Sequence, residues 1–376
     1  MTAKERLHEE LARIAAETGT VSVSFCTVKG RRIGNADCFG LQNRTMGEPA
    51  TTDTYYRMAS VSKPVSCLTA MTLTDAGKAD LDADIGDYLG YRVRNPFYPD
   101  LPITLRHLMT HTSTLIETGS YNRICAGDLP PYLLSEVLKE GSPGYTAENY
   151  LNAPPGSAYS YSSFGSGVMG TIVEKLTGMR FGDYAVQALF GPLGLPCRYD
   201  PADLPAGSAV AEPCEVAPDE KDPRPKDWLE KSLRNKAGLC ALPVGEAYRS
   251  AQGNLYAQPV HMARLLTLFQ NGGESMGVRV LSERAIAEMK RLQFSDGKHS
   301  SGLNLMLFDR SIVPDRFIAG HFGRAFGAFN AFFFDDDEKV GIVICMNGTD
   351  AKSSERGHTV TCERMLRAAF PLLGEL

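Results

Sequence analysis

Thr54-Tyr55-Tyr56-Arg57-Met58-Ala59-Ser60-Val61-Ser62-Lys63-Pro64 sets a hydroxyl and an amine three residues apart at the head of an apolar run. On a helix, residues three apart share a face. After Ser60, the positions Val61, Val65, Leu68 and Thr72, with Met71 beside them, recur at helical spacing until Gly77 supplies a stop. Pro64 falls in the first turn, where backbone N–H groups lack intrahelical partners in any case. Ser60 is therefore expected to open a buried helix. A serine hydroxyl is too weakly acidic to attack a carbonyl at neutral pH, and a partly buried lysine can take its proton. Spacing alone does not carry this reading. Ser295 and Lys298 repeat it within Phe294-Ser295-Asp296-Gly297-Lys298-His299, a polar, glycine-containing stretch that reads as an exposed loop.

Outward from that helix, a charged helix near residues 3–17 leads into Val21-Ser22-Val23-Ser24-Phe25-Cys26, and a second short strand runs up to Cys38. The pair reads as a hairpin. Strand-like runs at Phe329–Phe334 and Val340–Met346 close the chain, joined by Asp335-Asp336-Asp337-Glu338-Lys339, which reads as a solvated acidic turn. A helix is expected from about 355 to 373. Between the ends, Met169, Ile172, Val173 and Leu176 before Gly178 mark one helix, and Met262, Leu265, Leu266 and Phe269 before Gly272-Gly273 mark another. The expected fold class is α+β: an antiparallel sheet formed by both chain ends, flanked by helices, with a mainly helical inserted region. Residues 1–376 are read as one unit, with an α/β part at approximately 1–85 and 240–376 and a helical insert at approximately 86–239. Residues 200–240, rich in proline and charge, read as a lid, a binding loop or disorder. Trp228 within them, and Tyr256 beyond, are candidates to line a pocket.

The 376 residues are 43% hydrophobic and 22% charged, ample for a large core. A net charge of -5 supplies no basic field for nucleic acid. No window approaches the ~18 uninterrupted apolar residues of a membrane span. Met1-Thr2-Ala3-Lys4-Glu5-Arg6-Leu7-His8-Glu9-Glu10 lacks an apolar signal region. Nine cysteines without a Cys-x-x-Cys pair suggest reduced thiols, so a cytoplasmic location is expected, with Cys26, Cys67 and Cys345 as core residues. His107 and His111 stand four apart on an expected helix, a spacing that suits zinc, but no third ligand or glutamate accompanies them there. Neither metal nor cofactor is expected.

Two further clusters carry chemistry. In Pro154-Pro155-Gly156-Ser157-Ala158-Tyr159-Ser160-Tyr161-Ser162-Ser163-Phe164-Gly165, Tyr161 sits where a phenol could relay protons, although on these residues alone an aromatic stapling a helix entry is the commoner case. In Ile318-Ala319-Gly320-His321-Phe322-Gly323-Arg324-Ala325-Phe326-Gly327, glycines would let a substrate approach a strand edge whose free N–H groups hold an oxyanion. His321 there could be catalytic or simply a turn residue.

Taken in order, these clusters resemble the serine β-lactamase and penicillin-binding protein superfamily, whose signature starts from Ser-x-x-Lys and includes a later Lys-Thr-Gly element. Thr54 to Lys63 is similar to the nucleophile segment of class C β-lactamases and related esterases and D-peptidases. Leu73-Thr74-Asp75-Ala76-Gly77-Lys78-Ala79-Asp80-Leu81-Asp82 with Tyr88-Leu89 resembles the stretch that follows it. Ile103 to Ser113 resembles the family's helix with its His-Thr-Ser end. Pro155-Gly156 with Tyr159 to Ser163 is similar to the tyrosine motif, and His321-Phe322-Gly323 to the His-x-Gly form of the third motif.

The resemblance implies a β-lactamase/transpeptidase-like fold and a set of roles. Ser60 would be acylated, while Lys63 and Tyr161 would accept its proton and pass one to the leaving group. The backbone N–H groups of Ser60 and Arg324 would form the oxyanion hole. His321 would keep the surroundings of Tyr161 positive or orient the substrate, with Ser163, Phe322 and Gly323 contacting it. Two departures stand out. Ser163 replaces the asparagine that ends the tyrosine motif, and a hydroxyl reads an amide less well. Thr114 replaces the glycine of His-Thr-Ser-Gly, so a different local turn is expected there. The expected activity is hydrolysis of a small ester or amide. A β-lactamase or D-amino-acid peptidase is the alternative, a slow penicillin-binding sensor or binding module the second, and the partner in each case is a small ester, amide or lactam.

Overall fold

The computed structural model describes residues 1–212, 214, 237–350, 352–355 and 357–376. Its centre is an antiparallel sheet that draws strands from both ends of the chain. The N-terminal part supplies β1 (Ser22–Lys29), β2 (Arg32–Asn43) and β3 (Glu48–Pro49). Two short pairs stand apart from it: β4 (Tyr56–Arg57) with β5 (Tyr256–Ala257), and β6 (Glu274–Ser275) with β7 (Val278–Arg279). The C-terminal part adds β8 (Phe294–Ser295), β9 (Ser300–Ser301), β10 (Met306–Asp309), β11 (Phe317–Ala325), β12 (Ala328–Asp335) and β13 (Val340–Asn347). The nine-stranded order is β3-β2-β1-β13-β12-β11-β10-β9-β8. In register, Ser22 stands opposite Asn347 and Lys29 opposite Val340. The α+β class, with both chain ends in one sheet, is the fold observed.

Every residue of β12 and β13 is buried, because both faces are covered; that is why these strands read as unbroken apolar runs instead of alternating ones. Alternate side chains feed two separate cores. Phe329, Ala331 and Phe333 join Leu7, Leu11, Met365 and Phe370 of the helices Ala3–Glu17 and Val360–Leu373. Phe332 and Phe334 face the opposite way, into the core of the helical side. The helix Ser62–Asp75 lies in that second core with residues 62–71 all buried. It is preceded by a single 3-10 turn, Ala59–Val61, so Ser60 sits one step before the α-helix and not in its first turn. The helices Ser163–Thr177 and Phe181–Ala185 pack against it, and Ile85–Leu89 and Leu105–Met109 pack in turn on Ser163–Thr177. The helix Ser163–Thr177 ends at Gly178 in the left-handed region, as the sequence predicts.

Several local expectations are corrected. The strands β8 to β10 lack an alternating apolar pattern and were not foreseen. The last helix starts at Val360, since Ser353 bridges Thr359 in the segment before it. The acidic turn is only half solvated. Asp335 is buried, accepts the N–H groups of Asp337 and Glu338, and pairs with Arg316 at 2.8 Å. Residue 213 and residues 215–236, with Trp228, lie outside the described residues.

Candidate active site

The 3-10 turn presents Ser60 through a strained backbone: Ala59 has φ 47°, a left-handed value that costs an alanine about 1–3 kcal/mol. Strand β11 presses against the same turn. A Cβ on Gly323 would lie 2.5 Å from the Met58 carbonyl oxygen and 3.1 Å from the Val61 nitrogen, so only glycine allows this approach.

Lys63 reaches Ser60 from below. Its Nζ lies 3.1 Å from Ser60 Oγ, 3.3 Å from Ser163 Oγ and 2.8 Å from the Gln252 carbonyl oxygen. Burial disfavours its charged form, and with Arg57 and Arg249 nearby and Glu117 opposing them, its pKa falls to about 7. A free amine there gives two N–H donors and one lone pair. The Gln252 carbonyl must receive a donor, which leaves the lone pair free to turn to Ser60.

Tyr161 closes the site from the segment just before the helix Ser163–Thr177. Its phenol is hydrogen-bonded to Ser60, and burial pushes its pKa well above the ordinary value. Its ring centroid is 4.9 Å from Lys63 Nζ. His111 holds this segment in place: its ring nitrogen Nδ1 accepts the Ser162 N–H at 3.2 Å, its carbonyl accepts the Ser160 N–H at 2.8 Å, and its ring lies 4.5 Å from that of Tyr161.

His321 lies across from Tyr161, ring centroids 6.0 Å apart. Nδ1 donates to the Phe322 carbonyl, which leaves Nε2 as a buried acceptor with no partner among the described residues. Burial, with Lys63 adding to it, pushes the ring's pKa down to about 3. The expectation that His321 keeps the surroundings positive is therefore corrected: the ring is neutral at neutral pH.

Arg324 is brought in by its backbone. Ala325 pairs with Ala328 across the two-residue turn Phe326-Gly327, with φ 51° and 76°, and such a turn is closed by a hydrogen-bonded pair. Alternation then makes Arg324 and Phe329 a non-hydrogen-bonded pair, so the Arg324 N–H points away from β12, toward the Ser60 turn. Its guanidinium leaves the site and donates to Ser353 at 3.0 Å. Phe322 is corrected outright as a substrate contact. It alternates with His321 and Gly323, so its ring enters the opposite core, 4.6 Å from Phe333 and 4.5 Å from His358.

Other expectations sort themselves by place. Ser163 sits beside Lys63, as above. Tyr256 stands opposite Arg57 on the β4–β5 pair. His111 falls beyond the helix Leu105–Met109. His107 uses its Nδ1 to accept the Thr104 N–H, so each histidine spends one ring nitrogen on the backbone. Ser295 bonds Ser300 on an exposed hairpin. Thr114 keeps φ 67° despite its branched side chain, its hydroxyl held by Asn95 at 3.0 Å; the turn is retained, against expectation. Among the described residues no two cysteines are joined in a disulfide, and Cys26, Cys67 and Cys345 are buried.

Four residues escaped the sequence reading. Gln252 supplies the carbonyl for Lys63, and its amide, oriented to satisfy its neighbours, donates to the Ser163 carbonyl at 2.8 Å and accepts from Arg249 Nε at 2.7 Å. Arg57 fastens this loop through the Gly253 carbonyl at 2.9 Å. Glu117 accepts the Ser163 N–H. No periodicity or motif marks these positions; only Arg57 stands within a segment that drew notice.

A family model described as Beta-lactamase matches residues 7–361. Esterase EstB of Burkholderia gladioli is 34% identical over 223 residues, 56% of this chain and 52% of that protein, so the match spans about half of EstB. Penicillin-binding protein 4 of Amycolatopsis lactamdurans is 28% identical over 326 residues, 84% of this chain and 77% of that protein. Among solved structures, the octameric penicillin-binding protein homologue from Pyrococcus abyssi superposes with a TM-score of 0.75 at 21% identity, covering 98% of this chain and 77% of that one.

Proposed function

This chain belongs to the beta-lactamase family of serine hydrolases, and on that premise we propose that it hydrolyses small esters or amides through an acyl-enzyme on Ser60. The observation that carries the proposal is the contact of Lys63 Nζ with Ser60 Oγ at 3.1 Å, by an amine whose pKa lies near 7. Half of such amines are free at neutral pH, so the base is present without a large energetic cost.

Lys63 takes the Ser60 proton as Oγ bonds to the substrate carbonyl carbon. The negative charge that develops on the carbonyl oxygen is met by the N–H groups of Ser60 and Arg324. Collapse of the tetrahedral intermediate breaks the bond to the leaving group, which receives its proton by way of the Tyr161 phenol as Lys63 gives up the one it took. Water then attacks the acyl-enzyme by the same route and frees the acid. Neutral His321, with an unused Nε2 acceptor, orients the substrate or the phenol by hydrogen bonding and not by charge.

Ser163 in the asparagine position supports esters and small amides over lactams, as does the EstB likeness. The match to penicillin-binding protein 4, which spans more of the chain, favours a β-lactamase or D-amino-acid peptidase as the second reading. Nine cysteines with no disulfide among the described residues support a reducing, cytoplasmic setting. Among the described residues no helix is long and apolar enough to cross a membrane. The test compares the protein with Ser60→Ala on a short-chain nitrophenyl ester, a chromogenic cephalosporin and a D-alanyl dipeptide mimic. Ester turnover that vanishes in the variant, without cephalosporin cleavage, is the expected result; robust cephalosporin cleavage promotes the second reading.

A further inference from the structure

Glu117, on the loop that follows His111-Thr112-Ser113, has no part in the reaction as written above. Its carboxylate accepts the backbone N–H of Ser163, the first residue of the helix Ser163–Thr177. Such N–H groups have no partner within their helix, and an anion there also meets the positive end of the helix dipole. Gly165 N–H, two residues on, is taken by Ser162 Oγ at 2.9 Å. Ser163 is thus held from its backbone by Glu117, while its hydroxyl receives Lys63 at 3.3 Å.

The charges around Lys63 make this contact unusual. Arg57 on β4 and Arg249 on the loop before Gln252 are cations. His111 and His321, from the loop after the helix Leu105–Met109 and from β11, are held neutral by burial, and the Tyr161 phenol keeps its proton. Arg57 bonds the Gly253 carbonyl and the Asn254 amide oxygen, and Arg249 the Gln252 amide, the Tyr121 hydroxyl and the Cys125 sulfur, none of them a carboxylate. Among the described residues, Glu117 is the one carboxylate that acts on Lys63.

We propose that Glu117 is a positioning residue of the acylation step: it fixes Ser163 beneath Lys63 and supplies the negative charge that offsets the two arginines. This rests on the Ser60 reading of the site. Its two duties are separable by substitution. Glu117→Gln keeps an acceptor for the Ser163 N–H but removes the charge, whereas Glu117→Leu removes both.

The readout is the pH dependence of kcat/KM on a short-chain nitrophenyl ester, whose ascending limb reports Lys63 losing its proton. Without the opposing carboxylate the ammonium is less favoured, so the limb in Glu117→Gln moves toward acid. Relative to its own value at pH 8, activity at pH 6 rises by roughly two- to five-fold over the native ratio, a shift of about half a unit to one unit. Glu117→Asp restores the limb toward its native position. Glu117→Leu shows the acid shift and also loses roughly ten- to a hundred-fold in kcat, as a displaced base would. Limbs of Glu117→Gln and the native protein that coincide, or an alkaline shift, overturn the proposal. Should Glu117→Leu fold poorly by circular dichroism, the near-isosteric Glu117→Gln still decides it. Turnover that survives in Ser60→Ala overturns the hydrolase reading itself, whereas a dead Ser60→Ala with coincident limbs overturns only the role of Glu117.

Discussion

Against the helices Ala3–Glu17 and Val360–Leu373 the sheet presents Phe25, Phe329, Phe333, Ile342, Ile344 and Met346, an apolar surface met by apolar partners. Against the Ser60 turn it presents His321 and Gly323, next to a buried lysine and a buried arginine. None of those six residues on the first face has a positive φ. The second gathers Ala59, His111 and Thr114 at positive φ, and His111, His321 and Arg57 each keep a buried nitrogen without a partner among the described residues. Strain and unpaired polar atoms are costly, and in this molecule they collect where the nucleophile stands. One face gives the fold its stability, and the other draws on it.

If that division is sound, substitutions on the two faces separate stability from turnover. The largest effect is expected from Lys63→Met, with kcat on a nitrophenyl ester down by about a thousand-fold or more and the melting temperature unchanged or raised. The folded pKa of Lys63 lies below its unfolded value, so its protonation opposes folding. That penalty is full below about pH 7 and fades as pH climbs toward the ordinary lysine range. The gain in melting temperature should therefore be larger at pH 6 than at pH 10, and a scan at both values checks it. Phe370→Ala, on the other face, is expected to cost about 3–5 kcal/mol in denaturant unfolding while the folded fraction keeps its kcat; loss of kcat at full folding would break the division.

Gly323→Ala tests the strand that belongs to both faces. Its methyl group collides with the Met58 carbonyl, so kcat should fall by about a hundred-fold, with about 1–3 kcal/mol of stability lost. Phe322→Leu, one residue away but facing the apolar core, should cost less than about 1.5 kcal/mol and leave KM for the ester within about two-fold. A large KM change there would return Phe322 to the substrate pocket.

The nucleophile helix, the paired terminal strands and the triplet of Ser60, Lys63 and Tyr161 were legible because each rests on a local pattern: helical spacing, a strand-length apolar run, or a motif of fixed order. Phe322 was misread because a motif places three residues together in sequence, whereas a strand sends the middle one to the other side. The charge of His321 was misread because it depends on burial, to which elements far apart in the chain contribute. Glu117, Arg249 and Gln252 lie in loops without periodicity, and their importance comes only from meeting Lys63 across the fold. Thr114 shows the reverse case, in which a local rule against a branched residue at positive φ yielded to an Asn95 hydrogen bond.

The pairing of β1 with β13 also sets a timetable for synthesis. β1 leaves the ribosome long before its partner β13 is made, and the helix Ala3–Glu17 waits for Val360–Leu373 in the same way. Long loops must close before these contacts repay the lost chain entropy. Until then the edge of β1 and the apolar side of the first helix stand open, a natural target for holdase chaperones during translation.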